Sequence, residues 1–317
     1  MEAFDALADE YGLIAAGRAR EAGCGRQELA RLVRSEHWVH LARGWYALSE
    51  ALVPDAVDSP AERRRVLHAL MTRALIRSFE GRAVASHHSA LVLHSLPVFS
   101  ADLRQVHLSR TQDDHSRSRH GLTIHESVPG AGMSGPVIEP AVVIVQTGIV
   151  NGAMAALIAA DAALHREMLT LGDLERAGGL LGGPRVVAVR RALANADGRA
   201  ESPGETRLRE AVRLMGFSAT PQAPIRDGSF LAVVDLLLDD VPVAIEFDGF
   251  VKYSRPDPFA TASTPADVLF AEKVREDHVR GLRYAMVRVI WRELDDLVVL
   301  RRRIVSAVDL ARALRAA

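Results

Sequence analysis

Apolar positions at helical spacing mark the start of the chain. Glu2–Tyr11 and Ala15–Ala22 carry helical patterning, and Gly23-Cys24-Gly25 between them and the next helix draws on glycine's freedom in φ. In Arg26–Arg34 (RQELARLVR), Leu29, Leu32 and Val33 fall on one stripe, which leaves Arg26, Gln27, Arg31 and Arg34 to solvent. His37–Ala47 alternates around Arg43-Gly44, the pattern of a two-stranded hairpin. Ala61–Ile76 and Ser86–His94 predict helices, and Arg104–Leu108 and Leu122–Glu126 predict short strands beside a polar loop. Gly148–His165 and Arg185–Asn195 are helical stretches parted by a glycine-rich break at Gly178–Pro184. The apolar run Val142–Leu164 is interrupted by Gln146, Asn151 and Asp161, so it reads as a buried strand and helix rather than a membrane span.

From about residue 200 the pattern changes. Ser202-Pro203-Gly204-Glu205 opens a helix through Met215, with the spacing of a complete capping box. Phe230–Leu238 and Val241–Phe247 are apolar runs separated by Asp239-Asp240, which predicts a hairpin with a two-residue turn. A helix over Asp267–Gly281, a strand over Tyr284–Trp291 and a helix over Leu294–Leu314 complete an αββαβα order with a mixed sheet. The expected organisation is multidomain α/β: a small helical and hairpin domain at 1–55, a mostly helical middle region at 56–199 and an α/β domain at 200–317.

Composition narrows the class of function. The 317 residues are 49% hydrophobic and 25% charged, the make-up of an ordinary globular protein. Net charge is −1, so affinity for nucleic acid must come from local basic patches. Cys24 is the only cysteine, which excludes an intrachain disulfide framework and points to a reducing cytoplasm. The acidic start lacks the order of a signal peptide, and no membrane partner is expected. All but two of the 39 basic residues are arginine; the exceptions are Lys252 and Lys273.

Asp235 stands inside an apolar strand, where a carboxylate is costly without compensation. A two-residue turn at Asp239-Asp240 places Asp235 opposite Ala244, with Glu246 its diagonal neighbour and Asp248 on the same face. Three acids on one face are the layout of a hard-cation site, suited to Mg²⁺ or Mn²⁺. Residues 200–295 resemble the very-short-patch-repair-like endonucleases of the PD-(D/E)xK superfamily. The resemblance rests on Glu205, Gln222, Asp235, Glu246-Phe247-Asp248-Gly249 and Glu272-Lys273-Val274-Arg275-Glu276-Asp277. It implies a restriction-endonuclease-like fold, metal ligation by Asp235 and Glu246, and assistance from Glu205. Asp248 stands where a lysine is usual, so Lys273 or Lys252 would have to supply that charge. Glu205 also reads as a helix cap, and Lys273, Asp277 and Arg280 as a solvated face.

Gly23–Gly25, Arg26–Arg34 and Trp38–Tyr46 resemble the winged helix-turn-helix of AbiEi-type abortive-infection antitoxins. That resemblance implies DNA contacts by Arg26, Gln27, Arg31 and Arg34 of the helix; Arg43 and Lys252 are expected as further nucleic-acid contacts, and Arg63, Arg64, Arg65, Arg117 and Arg119 as the extension of that contact by the middle region. DNA is the expected partner, and a cognate toxin or a second copy of the chain are further candidates. Two functions follow: a metal-dependent endonuclease, and a non-catalytic antitoxin-like repressor on a nuclease fold. His87, His88, His94, His107, His115, His120 and His125 crowd the middle region, but their spacings match no zinc motif, so surface or packed histidines are expected. No Walker or dinucleotide-binding glycine motif occurs.

Overall fold

The computed structural model describes residues 2–52, 59–112, 115–249 and 265–316. Its contacts divide the chain into two compact units, Met1–Ala163 with Glu167–Ala196, and Leu164–Arg166 with Asp197–Ala317. Residues 1–55 and nearly all of 56–199, expected as separate domains, fall in the first of these units. Among the described residues no helix is long and apolar enough to cross a membrane.

The first unit opens with α1 (Glu2–Asp5), much shorter than its pattern suggests. The Asp9 carboxylate accepts the amides of Tyr11 and Leu13 at 2.9 Å each, a local bond that replaces the helical one. β1 (Leu13–Ala15), α2 (Ala16–Glu21), α3 (Arg26–Arg34), β2 (Trp38–Ala42) and β3 (Trp45–Leu48) follow, with the strands ordered β1-β3-β2. The hairpin turns at Arg43-Gly44 as expected, with Gly44 at φ +82°. Leu29 and Leu32 of α3 are buried with Ile14, Ala19, Cys24 and Trp38. The Trp38 indole donates to Asp5 at 3.0 Å and ties the N-terminus to this core.

The remainder of the unit carries more sheet than the pattern suggests. α4 (Pro60–Ser78), β4 (Ala83–Ala85), α5 (His87–Leu93), β5 (Val106–Arg110), β6 (Arg117–Arg119), β7 (Leu122–His125), β8 (Met133–Ser134) and β9 (Val137–Ile138) precede α6 (Pro140–Asn151). The six strands form one sheet in the order β6-β7-β5-β4-β9-β8. Several are only two or three residues long, too short to show alternation. Val142–Val145, read as strand, is helical: Pro140 starts α6 and all four valine and isoleucine side chains are fully buried. Gly152 at φ +95° separates α6 from α7 (Ala153–His165), where one helix from Gly148 is expected. α8 (Leu171–Leu180) and α9 (Pro184–Leu193) complete the unit.

In the second unit α10 (Pro203–Leu214) leads to β10 (Ala219–Asp227), β11 (Phe230–Leu238), β12 (Val243–Phe247), α11 (Pro265–Gly281), β13 (Ala285–Val289) and α12 (Leu297–Ala316). The order is αβββαβα rather than αββαβα. Pro221 and Pro224 hide β10 in the sequence, and as an edge strand it tolerates them. β10, β11 and β12 pair antiparallel, and β12 and β13 parallel across the α11 crossover. Leu236, Leu238, Val243, Ile245, Phe247, Val287 and Val289 form a core with Leu208 and Val212 of α10 and Leu300 and Ile304 of α12. Val234 and Ala244 belong to a second core with Val279 of α11.

Candidate acidic site and nucleic-acid interface

Register decides the acidic site. Leu237 pairs with Ala244 and Leu236 with Ile245, because Pro242 keeps Asp239–Pro242 out of the ladder as a four-residue connection. Carried one pair further, this register sets Asp235 directly beside Glu246 rather than diagonal to it. The shift is two residues, so the shared face survives while the separation shortens. Asp235 is not an unpaired carboxylate: its Oδ2 accepts the Phe247 amide at 2.7 Å.

On the other side of Asp235 lies Gln222, bracketed by the pairs Pro221–Leu236 and Ala223–Val234. Gln222 holds φ +50°, the left-handed region that side chains rarely adopt. Its Nε2 donates to Glu205 Oε2 at 3.0 Å. Glu205 is 4% exposed and also accepts from the Glu201 amide at 2.9 Å and the Ser202 hydroxyl at 2.8 Å. Ser202 Oγ accepts the Glu205 amide, but the Glu205 side chain reaches residue 201 rather than closing the complete box. Gly204 makes this approach possible, since a Cβ there would lie 2.0 Å from the Phe247 ring. The helix start, β10 and β12 are therefore held together at one place.

Glu246, 9% exposed, meets arginine from two elements. Arg275 of α11 donates Nη2 to Glu246 Oε1 at 2.7 Å and Nη1 to the Val233 carbonyl at 3.3 Å. Arg288, its register partner on β13, brings Nε to 3.8 Å of Oε2 and pairs with Glu276 at 3.0 Å. Glu276 also takes Arg280 at 2.5 Å. The cation beside the acids is thus arginine. Lys273 is exposed on α11, and Lys252 lies outside the described residues. Asp248 is half-buried, with its amide bonded to the Val289 carbonyl. Asp235, Glu246 and Asp248 are not drawn into a three-ligand cluster among the described residues, whose one such group is His87, His107 and His125.

Arg275 and Arg288 carry no assigned role in the sequence reading, although a signal exists. Ala285, Val287 and Val289 alternate as buried positions, so Arg288 falls on the opposite face of its strand, the face of its register neighbour Glu246. Arg275 needs the crossover geometry, which no local pattern encodes.

In the first unit Arg26, Gln27, Arg31, Arg34 and Arg43 are all exposed, as the apolar stripe of α3 requires. Arg31 is partly committed, bonded to Glu28 at 2.5 and 2.9 Å. A groove of about 1600 Å³ runs from the hairpin tip along α4 to the second sheet, and Arg43, Arg64, Arg65, Arg104 and Arg119 line it. Arg65 and Arg104 are engaged there, with the Leu96 carbonyl and with Asp102. No model of a known family and no curated protein matches the chain.

Proposed function

We propose that the chain is a DNA-binding protein whose second unit is a metal-dependent endonuclease module of the restriction-endonuclease-like kind. One observation carries the reading: Asp235 and Glu246 are neighbours on the two central strands, with Glu205 and Gln222 gathered beside Asp235. The donor set is all oxygen and suits a hard cation that keeps several of its waters, such as Mg²⁺ or Mn²⁺. A cation bound there supplies polarisation of the phosphoryl oxygen and a more acidic bound water. The Phe247 amide holds Asp235 in place, and Gln222 and Ser202 fix Glu205. Arg275, bonded to Glu246, is a cation beside the acids that differs from the expected lysine, and its guanidinium suits the charge that develops on phosphate. The winged-helix resemblance adds duplex binding through Arg26, Gln27, Arg34 and Arg43, and the groove extends that surface through Arg64 and Arg119.

The pairing of Glu246 with Arg275 favours a second reading. A carboxylate already neutralised by a guanidinium can persist without a cation, as an antitoxin-like repressor on this fold would require. A cleavage assay with Mn²⁺ on single- and double-stranded DNA and RNA separates the two. Cleavage by the wild-type chain that Glu246→Gln abolishes, with duplex binding retained, supports the nuclease. Tight duplex binding without any cleavage transfers the conclusion to the repressor.

A further inference from the structure

The first unit contains a largely buried polar cluster, with His87 and His107 buried and His125 half-buried, that the proposed function does not use. His87 begins α5, His107 lies on β5 and His125 on β7, so residues far apart in sequence meet through the parallel pairing of β5 with β7. One ring nitrogen from each lies within 4.8 Å of the others. His107 Nδ1 and His125 Nε2 stand 2.9 Å apart, and the His87 and His125 rings stack at 3.8 Å between centroids.

A packing role does not call for these side chains. Buried imidazoles cost desolvation that aliphatic residues in the same space would not. Among the described residues none of the three meets a carboxylate, and burial together with neighbouring histidines pushes all three well below the usual histidine range. Neutral imidazole is the form that offers a lone pair to a metal. Three further observations are independent of charge. His87 holds φ +51°, a strained state for a residue with a side chain, and its amide is pinned by the Gln146 side chain at 3.3 Å. Its Nδ1 lies 3.0 Å from Ser86 Oγ, an outer partner of the kind that orients a ligating imidazole and leaves Nε2 for the metal. Ser109, directly opposite His125 in the strand pairing, is fully buried with a hydroxyl that has no hydrogen-bond partner.

We infer that His87, His107 and His125 form a transition-metal site, with Zn²⁺ the best-suited cation, that ties the start of α5 to β5 and β7. Three nitrogen ligands with a fourth position left to solvent suit Zn²⁺, whereas Mg²⁺ and Ca²⁺ prefer oxygen. Zn–N bonds of about 2.0–2.1 Å in a tetrahedral site set nitrogens roughly 3.3 Å apart. The His107–His125 pair therefore opens by about 0.4 Å on binding, a shift within side-chain adjustment. The ligands come from three separate elements, so the cation acts as a cross-link present only in the folded state, and its binding stabilises the unit by mass action.

The test uses the full chain, free of any affinity tag and stripped with a chelator, then titrated with Zn²⁺ and Co²⁺. One equivalent of Zn²⁺ binds, the unfolding midpoint rises with Zn²⁺, and Co²⁺ gives the intense visible band of a four-coordinate nitrogen site. His107→Gln and His125→Gln weaken that binding by more than about 100-fold, beyond what loss of an outer partner does. Asp235→Asn and Glu246→Gln leave it unchanged, which assigns the metal to the histidines rather than to the acidic site. A folded wild-type chain that takes up neither cation overturns the proposal, as does uptake insensitive to the histidine substitutions. Should both histidine variants fail to fold, the wild-type cobalt spectrum decides: a weak octahedral band or none overturns the site.

Discussion

The acidic cluster of the second unit and the histidine cluster of the first solve the same problem in opposite ways. Both bury ionisable side chains between strands and a helix. Around Glu246 the fold brings in compensating charge: Arg275 and Arg288 flank it, while the Phe247 amide serves Asp235 and Gln222 serves Glu205. Around His87, His107 and His125 no carboxylate arrives among the described residues, and the imidazoles instead give up their charge. A carboxylate cannot do this at neutral pH without a large upward shift, whereas an imidazole loses its proton close to neutrality in any case. The comparison therefore predicts a built-in competitor for metal at the acids and none at the histidines.

The largest effect that would break this picture is catalytic. If the second unit hydrolyses phosphodiesters, Asp235→Asn and Glu246→Gln each lower the Mn²⁺-dependent rate by about 10³-fold, the scale of losing a principal electrostatic group. Duplex affinity stays within a few-fold. A variant that cuts at near wild-type rate removes these carboxylates from the chemistry.

Next comes the competitor itself. Among the described residues, Arg275→Ala leaves Glu246 in a largely buried position with Arg288 as its remaining arginine neighbour. Breaking a buried pair costs about 3–5 kcal/mol, and partial exposure of the arginine reduces this to about 1–3 kcal/mol. Urea unfolding followed at Trp291 measures it. Mg²⁺ recovers part of the loss by linkage if the acids bind it, and Arg275→Ala slows hydrolysis more than Lys273→Ala does. The reverse ranking would restore Lys273 as the phosphate-facing cation.

A third effect isolates the neutral-histidine strategy. His68, fully buried and bonded to Ser89 and the Leu103 carbonyl, is pushed by burial down to about 4. Its folded value lies below its unfolded one, so the unfolded chain binds the extra proton. The contribution is complete above about pH 6.5 and is lost as pH falls through about 4. Each such group removes up to about 1.4 kcal/mol per pH unit in that window. His68→Gln flattens the pH dependence of first-unit stability, read at Trp38, by up to one proton. An unchanged slope would mean that His68 is charged in the fold.

The smallest effect concerns the surface. Arg34→Ala with Arg43→Ala lowers the slope of log affinity for duplex DNA against log salt by about 2, roughly one per phosphate contact. Folding stability stays within about 0.5 kcal/mol, since both side chains are exposed. An unaltered salt slope would move the duplex away from α3 and the hairpin.

By itself the sequence determined the elements with long, regular periodicity: α3 and its buried stripe, the hairpin turning at Arg43-Gly44, α10 with its Ser202 cap, and the β11 and β12 runs bearing Asp235 and Glu246. Those features are local, since a helical stripe, a glycine turn and strand alternation are written within a dozen residues. Parity along a strand also placed both acids on one face, and parity survives a register slip of two. Only the tertiary structure decided the slip itself, because Pro242 and the parallel pairing with β13 outweigh the turn that Asp239-Asp240 suggests. It alone recruited Arg275 from α11, and it alone assembled His87, His107 and His125, whose spacing of about twenty residues belongs to no motif. Such groupings depend on which strands pair and where a crossover helix lands, and the free energy that selects them is burial summed over the whole unit rather than any local preference.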